Sequence, residues 1–157
     1  MMKTNIEFQT LPVVDDISEV IEDVFGVKLD INGGWGYDNT SALIVGKLDT
    51  DVDQFIDMFC NMRANIEMNL TLEEQDRYAG INLSFKESKE FEINNKVYDI
   101  VSFEITAMKE TVYSQFIKEY KENYGKQEFD LSEHFKKRKE STVTRYVDYW
   151  FLGLRDN

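Results

Sequence analysis

The sequence predicts an α+β domain: a largely antiparallel sheet of about six strands, with two to three amphipathic helices packed mainly on one face. Three observations lead there. Apolar residues alternate in short runs that follow one another as hairpins. Between these runs, apolar residues at three- and four-residue spacing form separate helical stripes. The strict strand–helix alternation of a doubly wound parallel sheet is missing. The 157 residues contain no linker, repeat or low-complexity segment, so one domain spanning residues 1–157 is expected.

The elements follow in order. Ile6 and Phe8 alternate in a short strand over residues 4–9, ended by Pro12. Asp15 and Asp16 open a helix whose stripe is Ile17, Val20, Ile21 and Val24; Gly26 is placed to stop it. Residues 27–32 and 41–48 read as two strands of a hairpin joined by the turn-rich stretch 33–40. Thr50 reads as the cap of a helix carrying Val52, Phe55, Ile56, Phe59 and Ile66, with Arg63 as the one polar break. A second box at Thr71–Glu74 starts a short helix that Gly80 ends. Ile81, Leu83 and Phe85 make a strand with one wet face, and residues 90–106 a hairpin turning at Asn94-Asn95. A helix over 110–124, closed by Gly125, and a shorter polar helix from Ser132 to Lys139 follow. Residues 143–152 form a last strand that is apolar on both faces, and so is either central in the sheet or partly exposed for a partner.

Composition narrows the function classes. Eighteen basic against thirty acidic residues give a net charge of −12. Residues 1–110 hold 9 basic and 22 acidic side chains, and residues 111–157 hold 9 and 8, so the excess lies in the first two thirds. Such a surface repels nucleic acid and anionic membranes and steers a basic partner toward it. A single cysteine, Cys60, excludes an internal disulfide, and the first residues lack the apolar core of a signal peptide; a cytoplasmic protein is expected.

Motifs of catalysis are missing. There is no nucleophile elbow, phosphate-binding loop, metalloprotease helix or Cys-x-x-Cys pair. Cys60, inside an apolar helical stripe, reads as buried, and His134, in the polar run SEHFKKRK, as a surface residue. Asp49, Asp51, Asp53 and Asp57 have the opening spacing of a calcium loop, but Gln54 and Cys60 stand where glycine and glutamate are required. The cluster therefore reads first as a capped helix with acids in its first turn, and otherwise as a weak Mg²⁺ or Ca²⁺ site or a landing point for a cationic partner; no metal site and no cofactor is counted among the expectations. The stretch Gly33-Gly34-Trp35-Gly36-Tyr37-Asp38 sets two large amphipathic aromatics among glycines. It reads either as a hairpin turn whose Trp folds back over the sheet or as a binding loop.

Three functions remain. The favoured one is a non-enzymatic, acidic protein-binding module of the inhibitor or immunity type, masking a basic partner protein, with Trp35, Tyr37, Asp38, Asp49, Asp51, Asp53 and Asp57 as candidate contact residues. The second is a small enzyme or ligand-binding domain using pocket carboxylates. The third is a homo-oligomeric accessory protein, dimerising through residues 143–152.

Overall fold

A computed structural model describes residues 10–156; the strand expected over residues 4–9 lies outside them. The class is α+β: among the described residues, a five-stranded mixed sheet with four α-helices. The elements are α1 (Ile17–Phe25), β1 (Ile31–Gly33), β2 (Leu43–Val45), α2 (Val52–Asn65), β3 (Tyr78–Ile93), β4 (Lys96–Lys109), α3 (Glu110–Asn123), α4 (Leu131–Glu140) and β5 (Val143–Leu152). The strand order is β1-β2-β5-β4-β3. No helix of the described residues is long and apolar enough to cross a membrane.

Local chemistry explains most boundaries. Asp16 caps α1, its side chain accepting from the N–H groups of Ser18 and Glu19, and Gly26 ends the helix at φ 71°, in the left-handed region that glycine enters without strain. Asn94 and Asn95, at φ 52° and 68°, supply the two positive angles of the tight β3–β4 turn, which pairs Ile93 with Lys96.

Four features differ from the sequence expectation. The residues expected to form a strand over 81–86 and the first arm of the next hairpin are one continuous strand, β3, of 16 residues; register shifts between Ala79 and Asn82 and between Phe85 and Glu87 absorb the breaks in alternation as bulges. The helix expected after Thr71 is only a single tight turn, Glu74–Asp76, and Gly80 lies in β3, not at a helix end. One pairing is parallel: Leu43 and Ile44 of β2 lie beside Phe151 and Leu152 of β5. Finally, the cap of α2 is Asp51, not Thr50. Asp51 is the extended residue before the first helical one, and its carboxylate accepts from the Gln54 N–H at 2.8 Å, while the Thr50 hydroxyl turns to the Gln54 side chain.

The core lies between α1, α2 and one face of the sheet. Ile17 and Ile21 of α1 and Phe55 and Phe59 of α2 meet Val101, Phe103 and Ile105 of β4 and Val147, Tyr149 and Phe151 of β5. Phe151 presents its edge to Phe55 and Phe59, with ring centroids 6.3 and 5.9 Å apart. Each fully buried ring of this kind contributes about 1.5–3 kcal/mol from burial. On the opposite face Trp150 packs against Phe91 and Tyr98. Helices α3 and α4 pair with each other at the end of the sheet where β3 begins and β4 finishes.

Asp51→Ala is expected to destabilise the protein by about 1 kcal/mol in urea unfolding, and Thr50→Ala by much less. The reverse order of the two losses would return the capping role to Thr50.

Candidate functional site

The glycine–aromatic stretch is turned inward and held by one buried cation. Arg63 lies on the apolar stripe of α2 and is 1% exposed. Its guanidinium is sandwiched between the rings of Tyr37 and Tyr149, at 4.0 and 4.1 Å from their centroids. Nη1 donates to the carbonyls of Trp35 and Gly36, and Nε faces Glu67 at 3.4 Å. Glu67 sits one helical turn on, in the wider turn Ile66–Leu70 that prolongs α2, and its other carboxylate oxygen accepts from the Tyr37 hydroxyl. That hydroxyl in turn accepts from the Leu11 N–H, and the Trp35 indole N–H donates to the Pro12 carbonyl. Gly36 is required here: at φ 93°, a Cβ would sit 3.0 Å from the Trp150 carbonyl.

Trp35 is therefore core, at 4% exposure, and Tyr37 is half-buried. Burial pushes the Tyr37 and Tyr149 hydroxyls well above the ordinary phenol range. Asp38 is exposed, but its Oδ1 closes the turn by accepting from the hydroxyl and N–H of Thr40 and the N–H of Ser41, which lowers its pKa.

The aspartates separate into two groups. Asp51 is the helix cap and Asp49 an exposed residue before it. Asp53 and Asp57, one helical turn apart, face an open groove of about 330 Å³ between α2 and the β3–β4 hairpin. Ile56, Phe85, Ser88, Val101 and Phe103 complete its lining. Phe85 is 60% exposed and meets Phe103 edge to face. The groove runs on past Asp53, Ile56, Ser88 and Val101 into a second hollow of about 270 Å³ that adds Val52, Asp99, Leu154 and Arg155. Arg155 closes that end by binding Glu90 and Asp99, while the second oxygen of Asp99 is buried without a hydrogen-bond partner. The groove thus combines an apolar floor, an exposed aromatic ring and carboxylates. It contains neither the histidine nor the cysteine of the chain, and among the described residues no three His, Cys, Asp or Glu side chains are close enough to hold a metal.

Sequence reasoning missed Phe85, Ser88, Asp99 and Arg155. In the sequence Phe85 is one more apolar residue of an alternating strand; the edge position of β3 leaves it exposed. β5, by contrast, lies inside the sheet, paired with β4 along its length and with β2 at its end.

Cys60 and His134, the one cysteine and the one histidine of the chain, are both interior. Cys60 is buried, and desolvation raises its thiol pKa well above the ordinary range. His134, expected at the surface, is 1% exposed. The rings of Phe116, Tyr120, Phe129 and Phe135 enclose it at 5.1–5.7 Å, because α3 presents Phe116 and Tyr120 four residues apart on the side facing α4. Neither imidazole nitrogen makes a hydrogen bond, although Glu119 lies 3.4 Å from Nδ1.

No family model, curated protein or solved structure matches this chain.

Burial lifts the Glu67 carboxyl above its usual value of 4.5, with Arg63 opposing it. A raised folded-state pKa means that the fold holds this proton more tightly than the unfolded chain does. The resulting stabilisation is complete below pH 4.5 and is lost as pH rises through the folded value. In urea unfolding across pH, the stability of the wild type relative to Glu67→Gln is expected to fall over that rise; a difference that grows instead would show that Arg63 dominates. For His134→Phe, thermal unfolding at an equal or higher temperature is expected, since the change removes two buried unpaired nitrogens. A clear loss would reveal a required polar contact with Glu119.

Proposed function

We propose that this chain is a non-enzymatic, acidic protein-binding module of the inhibitor or immunity type that masks a basic partner, and that it works in the cytoplasm. The observation that carries the reading is the α2–β3 groove, where Asp53 and Asp57 stand over an apolar floor beside the exposed ring of Phe85. Exposed aromatic surface next to carboxylates that form no ion pair among the described residues suits a protein surface rich in Lys and Arg: apolar contact provides the affinity and the charges provide steering and selection. The charge distribution supports the same reading, since both walls of the groove come from the strongly acidic first two thirds of the chain. The contact set is centred on Asp53 and Asp57, with Asp49 and Asp51 beside them at the start of α2. Trp35 and Tyr37 serve it indirectly, through the contacts with Arg63 that hold α2 to the turn, and Asp38 by closing that turn.

The test is capture by the immobilised protein at about 50 and 500 mM salt, conditions that differ severalfold in screening length. One stoichiometric basic protein, released at high salt and held about tenfold or more weakly by an Asp53→Lys, Asp57→Lys double variant, is the expected result. Capture that ignores both salt and charge reversal would overturn the acidic-masking reading. Absence of any partner, together with a small molecule that raises the unfolding temperature, would favour a ligand-binding domain or enzyme instead.

A further inference from the structure

We infer that the groove receives an extended basic segment of the partner, added as a new strand along the outer edge of β3, with its groove-side Arg or Lys residues laid across Phe85 toward Asp53 and Asp57. This deepens the protein-binding reading and rests on it.

Three independent observations converge. The first is the edge. Among the described residues β3 is the last strand in the sheet, and every residue from Phe85 to Glu92 is exposed. An uncovered strand edge presents a row of backbone donors and acceptors that an extended segment can pair with.

The second is how the charges are sorted. Side chains of a strand alternate between its two faces. Register places Phe85 opposite Phe103, Ser88 opposite Val101 and Glu90 opposite Asp99, all on the groove side. The lysines lie on the other side: Lys86 pairs with Glu104, and Lys89 stands opposite Ile100. Among the described residues the groove side therefore gathers Asp53, Asp57, Glu90 and Asp99 against one cation, Arg155, which Glu90 and Asp99 already engage. A strand bringing cations to this side meets net negative charge, and one bringing carboxylates is repelled.

The third is spacing. Asp53 borders both hollows, near Ser88 and Asp99, whereas Asp57 borders only the one holding Phe85 and Phe103. The two carboxylates are thus laid out along β3. Four helical residues span about 6 Å, and two strand residues span about 6.7 Å. Alternate residues of an added strand would then meet the two aspartates in turn, their aliphatic stems over the floor and one cation over the Phe85 ring.

The experiment titrates the isotope-labelled chain with three short, end-blocked peptides followed by amide chemical shifts: an alternating Arg-Val strand former, its Glu-Val counterpart and an equally charged Arg-Ala helix former. Shifts on residues 84–92 and 53–57 with the Arg-Val peptide alone are expected. An Asp53→Asn, Asp57→Asn double variant, both positions being exposed, should retain its circular dichroism and bind about tenfold more weakly. Methylating the peptide nitrogens that face β3 should abolish binding. Equal binding by the helix former, shifts confined to α3 and α4, indifference to methylation, or no shift with any peptide would each overturn the inference. A partner captured as described above but mapping to another face would leave the protein-binding reading intact and remove this one.

Discussion

The arrangement of the molecule depends on the burial of Arg63. A guanidinium without water is costly unless its donors are satisfied and its charge is balanced, and removing one member of such a pair typically costs about 3–5 kcal/mol. Here two carbonyls, a carboxylate and two aromatic faces meet those needs, and they come from separate parts of the chain. The 33–40 turn gives the carbonyls and Tyr37, β5 gives Tyr149, and the continuation of α2 gives Glu67. Because all of them must reach one planar group, the turn, the helix and the central strand are locked in a single relative placement. Arg suits this position where Lys would not: its planar fork stacks between two rings and still donates in its own plane.

That placement gives α2 two unlike sides. Its Arg63 side is fastened over β5 and the turn. Its Asp53–Asp57 side faces the β3–β4 hairpin across the groove, with Phe85 and Ser88 of β3 on the far wall. The groove is the space left between a helix fixed from one side and the hairpin it faces. Its acidic character follows from the same geometry, since the outward stripe of an amphipathic helix is where its carboxylates lie. The Arg155 contacts with Glu90 and Asp99 then tie the C-terminal turn to the hairpin and limit the length of the groove.

Helices α3 and α4 are built differently. They bury little against the sheet and hold together through aromatic contacts around His134. Basic Lys136–Lys139 stands at the α4 C-terminus, where cations suit the helix dipole. This last third of the chain carries almost no net charge, so the electrostatic character of the molecule belongs mainly to the layer formed by α1, α2 and the sheet.

The sequence by itself determined what short-range chemistry controls. Asp16 and Gly26 bound α1, Asn94-Asn95 turns the last hairpin, Gly125 follows α3, and the apolar stripes identify α1, α2 and α3 and the inner faces of β4 and β5. Each of these depends on residues a few positions apart: a side chain reaching a nearby N–H, a backbone angle that glycine or asparagine tolerates, a repeat of 2 or 3.6. The tertiary structure alone decided the rest. It buried Trp35, Arg63 and His134, whose local surroundings read as loop, polar break and charged surface. It set β2 parallel to β5 and merged the two runs on either side of a bulge into β3. It also selected Asp53 and Asp57 from a row of similar aspartates by placing Phe85 and Val101 opposite them. Burial and juxtaposition are set by partners tens of residues away in sequence, and no local pattern encodes which distant surface will cover a residue or leave it open.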